Sequence, residues 1–202
     1  MKKLISVLFL MAVFLLPMSA YADSSSPEES LTSSQIKEYY EFILNKYQVN
    51  EPFSPEDAQF IEKYANAVGA FVVSENQNVV SPRGVDRSSF TGQSGGLALT
   101  GYVSYDHNVL GKNTWEFYMN AWDVSGIKRN IVDTISFDCF GVIDVQTGAV
   151  GKIHSDTVST SSSGKVAYLE LNKTASYTGL PIMVYYYPKA SFDGVEVRGE
   201  FR

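Results

Sequence analysis

The sequence predicts a mainly β protein with a small α part. The expected fold is an antiparallel β-sandwich, Ig-like or jelly-roll-like, preceded by an N-terminal helical hairpin. Three observations carry that expectation. Residues 97–202 hold seven short strand-like runs separated by turn signals, the spacing of a sandwich or barrel. No helical pattern interrupts them, which argues against a parallel βαβ architecture. The composition is 13% aromatic, with 13 tyrosines, against 19% charged, a balance that suits pleated, half-buried surfaces.

The chain opens MKKLISVLFLMAVFLLPMSAYADSSS. Lys2 and Lys3, the apolar run from Leu4 to Leu16, the break at Pro17 and the small-x-small Ala20-Tyr21-Ala22 predict a bacterial signal peptide over residues 1–22. The apolar run is too short to span a bilayer as a helix. Residues 23–30, DSSSPEES, read as disordered.

Residues 31–74 carry the hairpin. Ile36, Tyr39, Tyr40, Ile43, Leu44 and Tyr47 recur at three-and-four spacing and share one helix face. Thr32 and Gln35 have capping-box spacing. In the second helix Ser54 caps, Pro55 takes the first helical position, and Glu56 and Asp57 complement the dipole. Ala58, Ile61, Tyr64, Ala65 and Val68 form its stripe, and Gly69 stops it. Residues 75–96, rich in Ser, Gly and Asn and without periodicity, read as a linker.

The β domain is expected at 97–202, with strands over 97–107, 113–122, 131–145, 149–160, 165–173, 181–188 and 194–202. The last alternates Val195, Val197, Gly199 and Phe201 with Glu196, Arg198, Glu200 and Arg202, one face dry and one wet. Two others are apolar on both faces. Ile182, Val184 and Tyr186 oppose Met183, Tyr185 and Tyr187; Trp115, Phe117 and Met119 oppose Tyr118 and Trp122. Those second faces need a cover, and the helical stripe needs a partner, so the hairpin is expected to lie over them. The functional alternative is a ligand-binding surface of Tyr118, Trp122, Tyr185 and Tyr187, because such rings stack on sugars and anchor protein partners.

The single cysteine, Cys139, shares parity with Ile135, Phe137 and Ile143 on an apolar strand face. That neighbourhood disfavours a thiolate and suits an inert core residue. One cysteine allows no internal disulfide. The residue after Ala22 is Asp23, not cysteine, and the C-terminal residues are polar, so no stable membrane anchor is expected. His107 and His154 lack metal-ligand spacing, and no calcium-loop pattern occurs, so no metal, cofactor or catalytic residue is assigned. The net charge is −6; losing Lys2 and Lys3 with the leader makes it −8. No cluster of basic residues offsets it, which argues against nucleic acid and against anionic lipid heads.

These readings predict a secreted, extracellular, non-catalytic module that binds a protein or a glycan. A secreted hydrolase using His107 or His154 with nearby acids is the second expectation. The third is a small β-pore-forming toxin, resting on the Ser/Thr-rich stretch at residues 154–166.

Overall fold

The computed structural model describes residues 31–64, 71–72, 85–106, 112–144, 146–179 and 181–201. The expected leader and disordered segment, the end of the second helix with Ala65, Val68 and Gly69, linker residues 75–84 and His107 lie outside them. Two helices, α1 (Ser33–Lys46) and α2 (Pro55–Tyr64), precede the strands. These are β1 (Phe71–Val72), β2 (Val85–Ser94), β3 (Leu97–Asp106), β4 (Lys112–Asp123), β5 (Ile131–Asp144), β6 (Ala149–Ser161), β7 (Tyr168–Thr178), β8 (Pro181–Phe192), β9 (Val195–Arg198) and β10 (Glu200–Phe201). Among the described residues all pairings are antiparallel, in two five-stranded sheets consistent with a β-sandwich. Sheet I runs β1-β8-β5-β6, with β9 also on β8; sheet II runs β10-β2-β3-β4-β7.

The linker expectation fails over residues 85–96. They form β2 and its turn into β3, paired from Val85↔Asp106 to Ser94↔Leu97. The turn is Gly95-Gly96, both at positive φ (55° and 83°), the conformation that a two-residue hairpin demands. Small polar residues in β2 resemble loop composition, yet pairing with β3 and β10 satisfies their backbone. The expected 165–173 strand also shifts, to 168–178, because Ser162 and Val166 tie the preceding tip to β5 and its entrance.

The expected 194–202 strand is two strands. β9 belongs to sheet I and β10 to sheet II, so the chain switches sheets at Gly199. The Gly199 amide donates to the Pro188 carbonyl at 2.8 Å. A Cβ there would meet Phe90, Leu99 and Pro188 atoms at 2.9–3.0 Å, so glycine permits the crossing.

Between the sheets lies the larger core. It contains Phe90, Leu99, Val103, Trp115, Phe117, Met119, Ile135, Phe137, Cys139, Val184 and Tyr186. A second core covers part of the opposite face of sheet I. There Phe140, Met183 and Tyr185 meet Ile36, Tyr40, Ile43 and Tyr47 of α1 and its exit, with Phe53 and Ile61. Tyr40 stacks on Tyr185 at 5.6 Å with ring planes 4° apart, and Phe53 lies 5.6 Å from Phe140.

Polar contacts hold the helices in place. The capping box at Thr32 and Gln35 forms as expected. Buried Asp57 receives hydrogen bonds from Tyr39 Oη (2.8 Å), Tyr47 Oη (2.7 Å) and Lys46 Nζ (2.7 Å). Burial opposes its charge, but these bonds outweigh that and hold the carboxyl down at about 2. Between the helices, the Asn50 amide donates to Lys152 O (2.7 Å) and the Phe53 amide to Val150 O (2.9 Å). Lys152 Nζ donates in return to Leu44 O at 2.7 Å.

Phe140→Ala is expected to cost about 3–5 kcal/mol, the range for a buried aromatic truncation. Phe42→Ala, at a 53% exposed position of α1, should stay within about 0.5 kcal/mol of the parent. Urea unfolding midpoints check both.

Candidate ligand-binding surface

The four aromatic residues singled out from the sequence do not form one surface. Tyr185 and Tyr187 lie on the outer face of sheet I, beneath the helices. Tyr185 is 4% exposed, and Tyr187 meets its ring edge-on at 4.4 Å. The buried Tyr187 hydroxyl finds no hydrogen-bond partner among the described residues, and burial pushes its pKa up. The expected cover is therefore present here. Tyr118 and Trp122 point the other way, from the outer face of sheet II, where they are only half-buried.

Strand register builds that face in rows. One row is Gln93, Ala98, Trp122 and Tyr168; the next is Thr91, Thr100, Asn120 and Glu170. A third is Ser89, Tyr102, Tyr118 and Asn172. Alternation explains the placement, since Phe90, Leu99, Met119 and Leu171 between them point into the core.

Tyr102 and Tyr118 stack at 5.3 Å with planes 20° apart. The Arg87 guanidinium sits 3.3 Å over the Tyr102 ring, a cation–π contact. Asn120 Nδ2 donates to Tyr118 Oη at 2.6 Å, and Tyr118 Oη donates to Glu170 Oε2 at 3.2 Å. Asn120 Oδ1 is buried and has no hydrogen-bond partner among the described residues. Beside this network an open cleft of about 560 Å³ is lined by Thr91, Gln93, Thr100, Trp122, Arg198 and Glu200. Gly92 lets the β9 backbone lie close, because a Cβ there would collide with the Arg198 carbonyl.

Tyr102, Tyr168, Arg87, Asn120 and Glu170 were not singled out in the sequence. The signal was present: in 97–106, Tyr102 alternates with the inward Gly101 and Val103. The row that joins Trp122 to Tyr168 required the β4–β7 pairing.

The titratable groups weighed for catalysis occupy other surroundings. Cys139 is fully buried, and burial drives its thiol pKa up. His154 is its register neighbour, and the His154 ring stacks on Tyr177 at 4.5 Å. Burial pushes the His154 pKa down, while the charges of Asp156 and Asp138 act in the opposite direction. Its Nε2 has no hydrogen-bond partner among the described residues. Asp138 is raised by burial, against the pull of Ser155 and Lys152. No cluster of three or more His, Cys, Asp or Glu able to hold a metal occurs among the described residues.

Asp133 stands apart. It is fully buried, between Thr160 and Ala190 in register. Neither carboxyl oxygen is hydrogen-bonded among the described residues, and burial pushes its pKa up to about 7.

No protein-family model matches the chain, and no curated protein matches it.

Two expectations follow. Between the ordinary carboxyl value of 3.8 and about 7, folded Asp133 keeps a proton that the unfolded chain has lost. Its contribution is thus fully present below the unfolded value and falls as pH rises through about 7. Asp133→Asn should flatten that fall and raise the thermal midpoint at pH 8, read by circular dichroism. Cys139 should react with a thiol reagent at the rate of global unfolding, and fast labelling of the native protein would contradict its burial.

Proposed function

We propose that the protein is a secreted, non-catalytic binding module whose sheet II outer face takes a glycan. Secretion rests on the leader pattern of residues 1–22. The observation that carries the ligand is an open β face on which aromatic rings alternate with hydrogen-bonding groups. Trp122, Tyr102, Tyr118 and exposed Tyr168 supply the rings. Gln93, Asn120, Asn172, Thr91, Thr100, Glu170 and Arg87 supply amides, hydroxyls and charges.

A sugar ring has an apolar C–H face and a rim of hydroxyls. The first stacks on an aromatic ring, and the second exchanges hydrogen bonds with amides and carboxylates. A protein partner is favoured by a charge-poor, apolar interface centre, whereas here Glu170, Asn120 and Arg87 are interleaved with the rings. The cleft beside Trp122, lined also by Gln93, Thr100 and Glu200, supplies acceptors and a place for one ring.

The two-sheet antiparallel build with helices over one face supports an Ig-like or jelly-roll-like scaffold fronted by a helical hairpin. The aromatic part of sheet I's outer face is then covered, and the aromatic face of sheet II is left for a ligand. A hydrolase built on His154 has less support, because that ring is stacked on Tyr177 and partly withdrawn from solvent.

The test is binding to a broad panel of soluble and insoluble polysaccharides. Trp122→Ala should weaken binding by about 1–3 kcal/mol, the loss for an aromatic hot spot, with an unchanged thermal midpoint. Tyr185→Ala should lower the midpoint. A folded protein that retains no glycan on the panel would overturn the proposal.

A further inference from the structure

The four rings on the outer face of sheet II divide into two pairs. Tyr102 and Tyr118 are occupied with each other, stacked at 5.3 Å, and the Arg87 guanidinium lies 3.3 Å over the Tyr102 ring. The Tyr118 hydroxyl is committed as well, accepting from Asn120 and donating to Glu170. Trp122 and Tyr168 are not engaged in this way. Neither stacks on another ring among the described residues. Tyr168 is 65% exposed, and half-buried Trp122 borders the cleft of about 560 Å³.

The two unengaged rings are register partners on β4 and β7, so a line through them runs across the strands, not along them. The row continues to Ala98 on β3 and Gln93 on β2. A methyl group is all that Ala98 places between Gln93 and Trp122, and the first cleft opens there. Thr91, Thr100 and Glu200 bring hydroxyls and a carboxylate to its wall. On the other side of the row, Tyr168 borders a second open cleft of about 520 Å³. Three strand spacings separate β2 from β7, about 14 Å, which accommodates about three pyranose units. No one sign of charge prevails along the row. Arg198 and Glu200 line the first cleft, and Glu170 lines the second with Lys128 and Lys165. Arg198 is paired with Glu196 at 3.0 Å, and the Lys165 charge acts on Asp193.

We propose that this row is a trough for a linear, neutral polysaccharide, which crosses the strands of sheet II and is held at interior units, not by an end. The inference rests on the glycan reading and adds to it the direction, length and charge of the chain. Direction follows from which rings are unengaged. Length follows from shallowness. A site for a small ligand buries roughly 70–90% of its surface, whereas a ring as exposed as Tyr168 covers one side of a sugar and leaves the other in water. Affinity then has to accumulate over several units. Space beyond both rings lets the chain continue in either direction, so no terminus is required. Charge follows from the mixed lining. A polyanion would be opposed by Glu170 and Glu200 and a polycation by Lys128 and Lys165, while sugar hydroxyls donate to the first pair and accept from the second.

The experiment is affinity electrophoresis of the full chain through gels containing hydroxyethylcellulose, arabinoxylan, glucomannan, glycol chitin or pullulan as neutral probes. Polygalacturonate and dextran sulfate are the anionic probes. Retardation by at least one neutral probe, and by neither anionic one, is expected. Unsubstituted oligosaccharides matching the most retarding polymer are then titrated by calorimetry. Affinity should rise at least about tenfold from the monosaccharide to the tetrasaccharide and then level off, since the row spans about three units. Reducing the terminal aldehyde of the hexasaccharide to an alcohol should leave its affinity unchanged. Trp122→Ala and Tyr168→Ala should each weaken hexasaccharide binding at least about fivefold, and Tyr168→Ala should cost more than Tyr102→Ala. Circular dichroism and the thermal midpoint check that each variant is folded. No retardation by any probe overturns the glycan reading and the trough together. The trough alone falls if a neutral probe is retained but the monosaccharide binds as tightly as the hexasaccharide, or if end reduction abolishes binding. It equally falls if Tyr102→Ala costs more than Tyr168→Ala, which turns the chain along the strands, or if the anionic probes retard the protein more than the neutral ones.

Discussion

Where β8 meets the Cys139 end of β5, sheet I is apolar on both faces, and both are covered. On one side Phe137, Cys139, Val184 and Tyr186 meet the inner face of sheet II. On the other, Phe140, Met183 and Tyr185 meet Tyr40, Ile43 and Ile61. The two helices have 14 and 10 residues, lengths that are marginal for isolated helices in water. Their stability comes from the sheet, and the sheet's solubility comes from them. Backbone bonds from Asn50 and Phe53 to β6 make that dependence geometrical as well as hydrophobic.

Two buried aspartates illustrate what this arrangement demands of polar groups. Asp57 sits in the first turn of α2 and is met by two tyrosine hydroxyls and a lysine, so it stays charged. Asp133 sits on the inner side of β5, where strand neighbours offer no donor among the described residues. Desolvation without compensation drives it toward the neutral acid. The same residue type is a fastener in one core and a pH-dependent liability in the other. Hydrogen-bond supply decides between them.

The asymmetry of the sandwich is the other consequence. The outer face of sheet I is covered around Phe140, Met183 and Tyr185 and leaves Thr157, Ser159 and Lys189 to water, while the outer face of sheet II alternates rings with amides and carboxylates and tolerates water. Its Tyr102–Tyr118 stack and the Asn120–Tyr118–Glu170 chain keep the side chains ordered on a rigid support. Ordered side chains lose little conformational freedom on binding.

The sequence alone determined whatever depends on period and local chemistry. Alternation along β4, β5, β8 and β9 placed Trp115, Cys139, Val184 and Val197 inside, because successive strand residues face opposite ways. Helical spacing and the Thr32–Gln35 box located α1, because those signals act within one turn. The demand for a cover over Tyr185 was also legible, since two apolar stripes each lacked a partner. Only the tertiary structure decided what depends on which strands are neighbours. It moved residues 85–94 from a linker into sheet II, where β3 and β10 supply the hydrogen bonds that composition could not reveal. It separated Tyr118 and Trp122 from Tyr185 and Tyr187, because parity names a face but not the sheet that bears it. It joined Trp122 to Tyr168 and drew Lys128 toward Lys165, residues that are distant along the chain. Long-range register is a property of pairs of strands, and a single chain read in order carries no direct record of it.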